Sequence, residues 1–199
     1  VYIDSNFSKG KMHYSELVIK GKSKKEILIV SYICHPSMAN NELSGPVVLG
    51  AIMNHIKNKY PKPRFSYRFI LQPETIGSIA YLSRYAQTLK DNVFCGFNLS
   101  CVGDERGYSH VESPYGNNLA DKALKASLLK LDNVKNYSFL QRGSDERQYC
   151  SPKINLPICT FCRSKFGEFP EYHTSADLPN KVVTDDGLNQ SLNVLINII

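Results

Sequence analysis

The sequence predicts an α/β fold, a three-layer αβα sandwich around a mostly parallel mixed sheet. Two observations lead there. Apolar runs of strand length alternate with stretches of helical periodicity along nearly the whole chain. The run over residues 27–33 is apolar almost throughout, as expected of a strand buried on both faces. No internal repeat, low-complexity segment or linker interrupts the pattern, so residues 1–199 are expected to form a single domain.

Taken in order, residues 12–19 alternate apolar and polar side chains and predict a strand, joined through a turn around Gly21 to the strand over 27–33. A loop through Asn41 follows. Residues 44–60 predict a helix with Val47, Val48, Ala51, Ile52 and Ile56 on its apolar face, ended by Pro61 and Pro63. Residues 65–71 predict a strand, and 77–89 a helix with Ile79, Leu82, Tyr85 and Ala86 inward. Strands over 93–102 and 108–112, a helix over 118–131 and a strand over 156–162 come next. A helix over 185–199 closes the chain, its start favoured by Asp185 and Asp186 near the positive end of the helix dipole.

Composition removes several function classes. The formal net charge is +6, but Lys20, Lys22, Lys24 and Lys25 crowd one expected surface turn, and no basic stripe interleaved with aromatics argues for nucleic acid. No apolar run approaches the roughly 20 residues of a membrane span, and no signal peptide opens the chain, so a cytoplasmic protein is expected. The chain begins at Val1 and stops inside a helical pattern, which leads us to expect a piece of a longer protein. The six cysteines lie in or beside apolar segments and read as buried free thiols. Cys159 and Cys162 make a CxxC without the second pair that a structural zinc site needs.

In an open α/β sheet, functional groups collect at the carboxyl ends of strands. His35, Glu74 and Asp104 each follow a predicted strand, and His173 lies in the loop after the strand over 156–162. Two imidazoles and two carboxylates form a plausible zinc or two-metal set, although no HExxH places two ligands on one helix. A Cys34–His35 nucleophile pair is disfavoured, because neighbours on an extended segment point to opposite faces. Ser144 lacks a GxSxG elbow, and neither GxGxxG nor GxxxxGKS appears.

Five blocks carry a resemblance to a known group: residues 35–45 (HPSMANNELSG), 73–78 (PETIGS), 101–104 (CVGD), 143–147 (GSDER) and 172–175 (YHTS). Together they resemble the bacterial aminopeptidase-like domain family of uncharacterised function, similar to zinc aminopeptidases of the leucyl aminopeptidase and glutamate carboxypeptidase clan. That resemblance implies larger proteins with further domains, often tied to surface-polysaccharide gene clusters. His35 and His173 match the two metal-binding histidines of the zinc aminopeptidases, and Glu74 remains from an acidic pair.

The bridging-carboxylate position falls on Asn41, a neutral amide and a poorer ligand, with Glu42 beside it as a substitute if the loop turns differently. Ser100 and Ser37 stand where a further Asp and the Asp orienting the first histidine are found. The resemblance therefore implies one zinc ion rather than two, held by His35, His173 and one carboxylate, Asp104, with Glu74 as general base in cleaving a peptide or amide bond. Asp145, Arg147 and Tyr172 are candidates for substrate binding. The competing expectation is a peptidase-like binding or assembly module in polysaccharide biosynthesis that has lost its metal chemistry.

Overall fold

The apolar run after Lys25 becomes β2 (Glu26–Tyr32), which is buried at every position. In this computed structural model, which describes residues 1–199, β2 lies between two parallel neighbours, β3 (Ser66–Gln72) and β4 (Val93–Leu99). The sheet continues through β7 (Ile158–Cys162), β5 (Tyr108–Val111) and β6 (Val134–Tyr137), while β1 (Ser15–Ile19) closes the other edge against β3. Only the β1–β3 and β5–β7 pairs are antiparallel.

Side chains of β2 alternate between two cores, as strand geometry requires. Ile27 and Ile29 face α1 (Ser44–Lys59), α3 (Leu119–Leu128) and α5 (Asp185–Ile196). Leu28 and Val30 face α2 (Ile76–Asn92) and α4 (Glu146–Tyr149). The result is the three-layer sandwich that the alternation of elements implied. No helix is long and apolar enough to cross a membrane.

Several local expectations need correction. The turn at Gly21 does not set β1 beside β2: β3 lies between them, and the Lys22 N–H donates to the Pro63 carbonyl at 2.8 Å. A Cβ at Gly21 would overlap the Phe65 carbonyl, so only glycine lets this crossing seat. The loop through Asn41 is a buried π-helical turn, Ala39–Leu43, leading straight into α1. The inward face of α1 is Val48, Leu49, Ile52 and Ile56, with Val47 exposed; that of α2 is Tyr81, Leu82 and Leu89, with Ile79 exposed. β6 and α4, each four residues long, were missed: VKNY has only its last residue buried and ERQY is a single helical turn, so neither shows a period. Cys34 is exposed, against the expectation of six buried thiols.

Candidate functional site

The carboxyl ends of β2, β3, β4 and β7 lie side by side, and the loops leaving them bear signs of strain. Seven residues other than glycine adopt positive φ. Three are Asn133, Asn155 and Asn180, a residue type that tolerates the left-handed region. The other four, Ser37, Thr75, Cys101 and His173, fall one in each of those four loops. Backbone strain that the surrounding structure must hold in place clusters at functional sites.

Two of these loops bring the histidines together. The His35 and His173 ring centroids are 5.2 Å apart. Glu42, only 3% exposed, grips the first loop: its carboxylate accepts the Cys34 N–H at 2.5 Å, the His35 N–H at 2.9 Å and His35 Nδ1 at 3.1 Å. Burial raises the Glu42 pKa, and the His35 and Cys34 N–H groups oppose that rise. With Nδ1 donating to a carboxylate, His35 carries its lone pair on Nε2, the form in which imidazole ligates metal. Tyr172 stacks on the His173 ring, centroids 3.9 Å apart. Asp177, fully buried, ties the two loops together by accepting the Asn40 and Asn41 N–H groups at 2.7 and 2.9 Å.

Cys34 corrects another expectation. Its Sγ lies 3.3 Å from His35 Nδ1, because the chain has left the extended conformation after Tyr32. The pair is still no nucleophile and base. Burial pushes the thiol up to about 11, and the same Nδ1 serves Glu42.

Glu74 is held by an unusual turn. Thr75 has φ 60 and ψ −68, and the Ile76 N–H closes onto the Glu74 carbonyl at 2.7 Å, which defines a γ-turn of the rare, positive-φ sense. Ser144 donates its hydroxyl to Glu74 Oε1 at 2.7 Å. Asp145 braces the turn from below, its Oδ1 accepting the Thr75 N–H at 2.8 Å and the Ser78 hydroxyl at 2.9 Å. Asp145 is fully buried, so it supports Glu74 and is not a substrate contact as the sequence led us to expect. Burial pushes its carboxyl up to about 6, with the Glu74 charge adding to the rise. Arg147 is exposed at the rim, with Nη2 3.3 Å from the Thr75 hydroxyl.

The remaining expected ligands are occupied otherwise. Asp104 is 1% exposed, and its oxygens accept from Asn40 Nδ2, the Arg106 N–H, the Ser164 N–H and the Ser164 hydroxyl, all at 2.8–2.9 Å. A carboxylate has about four acceptor sites, so Asp104 keeps none for a ligand, contrary to the role expected of it. Asn41 Oδ1 accepts the Tyr32 hydroxyl at 2.9 Å, and that hydroxyl lies 2.8 Å from Ser100 Oγ. The two positions where the resemblance called for carboxylates are thus neutral and bridged by a buried phenol, whose own ionisation burial strongly opposes. This donor set does not fit two ions. The donors left open are the two imidazoles, 5.2 Å apart between ring centroids, and Glu74 Oε2, which takes no protein donor; they are enough for one ion at most.

Tyr32 and Asp177 were not anticipated from sequence, and neither was the role of Ser144 as a donor to Glu74. The only sequence hint of Tyr32 was a hydroxyl near the end of a mostly apolar strand, and Asp177 lies two residues past the end of the YHTS block.

The profile of a family described as a domain of unknown function, DUF4910, matches residues 5–199. The chain belongs to this family. A Clostridium acetobutylicum protein named for polysaccharide biosynthesis and for an aminopeptidase-like domain is 39% identical over 203 residues, covering 100% of this chain and 45% of its own length. A crystal structure of a candidate peptidase from the same organism superposes with a TM-score of 0.88 at 38% identity, over 93% of this chain and 43% of that one. The zinc aminopeptidase BSAP of Bacillus subtilis shares the DUF4910 fold with a TM-score of 0.77 at 18% identity, over 93% of this chain and 48% of that one. The chain spans less than half the length of each of these three.

Proposed function

We propose that this DUF4910 domain is a zinc-dependent hydrolase of a peptide or amide bond, in which His35 and His173 hold one ion and Glu74 moves the proton. The observation that carries this reading is the histidine pair, 5.2 Å between rings, with His35 Nδ1 committed to Glu42. Zinc at such a pair supplies Lewis-acid polarisation of a carbonyl and acidifies water at neutral pH.

The chain's own residues do the rest. Ser144 fixes one oxygen of Glu74, and the other is left to take the proton of the attacking water and pass it to the leaving amine. The γ-turn at Thr75, braced by Asp145, keeps that carboxylate from rotating away. Tyr172 holds the His173 ring by stacking. Arg147 is placed at the rim to meet a carboxylate of the substrate. Asp104 has no part as a ligand in this reading, since its oxygens are filled. A cytoplasmic location remains part of the proposal.

A second reading rests on the Asn41–Tyr32–Ser100 bridge, which puts neutral groups where the resemblance calls for anionic ligands. In that reading the domain is a binding or assembly module in polysaccharide biosynthesis. The deciding experiment measures zinc by plasma mass spectrometry and calorimetric titration, followed by a screen of peptide and amide substrates. The hydrolase reading expects near-stoichiometric zinc that is lost in both His35→Ala and His173→Ala, and activity reduced at least about a hundredfold in Glu74→Gln. No tight zinc even at excess, or activity that survives Glu74→Gln, would transfer the case to the binding module.

A further inference from the structure

Beyond the segment that carries His173, the same end of the sheet opens into a cavity of about 720 Å³. That volume falls within the roughly 300–1,000 Å³ of small-molecule sites. It lies where β5 and β6 begin and β7 ends, and its lining residue Phe169 packs edge-on against Tyr172, which stacks on His173. Asp104 stands behind the lining: its bonds to Ser164 and the Arg106 N–H hold lining residues in place, while its bond to Asn40 reaches the turn that holds Asn41.

Four cations line the cavity, Arg106, Lys135, Arg163 and Lys165, against one carboxylate, Glu168. Two of the cations are already engaged. Arg106 grips Glu171 with both terminal nitrogens at 2.7 and 2.9 Å, and Lys165 lies 3.7 Å from Glu168. No carboxylate comes within ion-pair distance of Arg163 or Lys135.

Arg163 is the unusual one, being only 2% exposed. Its Nε donates to the Gly107 carbonyl at 2.6 Å and its Nη1 to Gln190 Oε1 at 2.9 Å, and its guanidinium lies 3.9 Å from the centre of the Tyr108 ring. These are neutral partners. They aim the guanidinium and soften the loss of water without pairing its charge; Asp104 and Glu105 act on it only from beyond ion-pair distance, and a buried charge without a directly paired counter-ion is costly. An anion entering the cavity would supply the missing counter-charge.

We infer that this cavity binds a phosphate-bearing small molecule, with Arg163 as the buried recognition charge and Lys135 as the exposed cation beside it. A guanidinium fork matches phosphate oxygens, and two unspent cations match the two charges of a phosphate monoester. Tyr108, Tyr137 and Phe169 in the wall give the rest of such a molecule apolar faces to lie on. The inference does not depend on zinc or on hydrolysis.

The test titrates the chain by calorimetry with inorganic phosphate, with glucose 6-phosphate and, as the carboxylate arm, with citrate, each against sodium chloride at matched ionic strength. Backbone amide shifts of Gly107, Ser109 and Ser164 locate the binding. Expected is saturable binding of a phosphate compound that shifts these amides, weakened about thirtyfold in Arg163→Met and about threefold in Lys135→Ala. Lys135 is exposed, so its variant keeps the test decisive if Arg163→Met does not fold. The inference is overturned by the absence of saturable binding, by binding of citrate alone, by amide shifts elsewhere, or by phosphate affinity unchanged in Lys135→Ala.

Discussion

Asp177→Asn probes the joint between the two histidine loops. Each Asp177 oxygen accepts one backbone N–H, from Asn40 at 2.7 Å and from Asn41 at 2.9 Å, at a position fully closed to solvent. A hydrogen bond to a charged group contributes about 1.5–3 kcal/mol net. The amide keeps one acceptor, now neutral, and turns an NH₂ towards the other N–H. One charge-assisted bond is lost, the second is weakened, and a buried donor faces a donor, so the expected loss is about 3 kcal/mol. For a chain of this length, each kcal/mol moves Tm by about 2–4 °C, giving a fall of about 6–12 °C. Urea unfolding at pH 7 followed by circular dichroism, with the same slope for both proteins, measures the difference. A loss below about 1 kcal/mol would refute the reasoning, because the Asn40 and Asn41 amides would then have found other acceptors.

Further expectations follow from the same geometry. Tyr32→Phe strips Asn41 Oδ1 and Ser100 Oγ of their shared partner inside the core and should cost about 1–3 kcal/mol; a loss near zero by urea unfolding would mean that water replaces the phenol. His110→Ala should cost about 3–5 kcal/mol, since His110 Nε2 lies 2.9 Å from Asp121 Oδ1 with both residues fully buried, and a smaller loss would show that Ser113 and Asn118 suffice for the carboxylate. Asp145 gives a pH signature. Its pKa is raised from 3.8 to about 6 by burial, so the folded chain holds that proton to higher pH than the unfolded one, and stability falls as pH rises from about 4 to about 6. The stability of the native protein relative to Asp145→Asn should therefore fall by about 3 kcal/mol across that window; a difference flat with pH would exclude a raised pKa. Glu42→Gln should weaken zinc about 10–100-fold in the calorimetric titration, and unchanged affinity would deny it any hold on His35.

The fold was legible because its signals are local. A seven-residue strand buried throughout shows in sequence as a run that is apolar but for Glu26 and Ser31, and α1 and α2 are long enough for a period. The direction of the crossing at Gly21 was not legible, since it depends on a carbonyl of Phe65, far along the chain. At the candidate site, His35, Glu74 and His173 stood out in the sequence because each comes after a strand and stands in a recognisable block. What the other carboxylates do could not be read. Asp104, Asp145 and Glu42 are the same kind of group in sequence, and only their donors separate them: four protein donors for Asp104, a turn to brace for Asp145, a loop and an imidazole for Glu42.

Glu42 also bears on which reading of the site is the stronger. Ser37 stands where the resemblance called for a carboxylate to orient His35, and a serine at φ 61 on the loop does not take that place. Glu42 reaches the same ring nitrogen from the following helical turn. Burying that carboxylate is unfavourable, and two backbone N–H groups would already satisfy most of it; the bond to Nδ1 adds a constraint on the ring that the loop itself does not need. A histidine that served only packing would gain little from being fixed in one tautomer with Nε2 bare. On the other side of the site, the Tyr32 hydroxyl fills the space between Asn41 and Ser100, which a second ion would require. One half of the centre is thus prepared for a ligand and the other is closed with a hydrogen bond, an arrangement that a one-ion hydrolase explains and that a domain emptied of metal chemistry explains only in part.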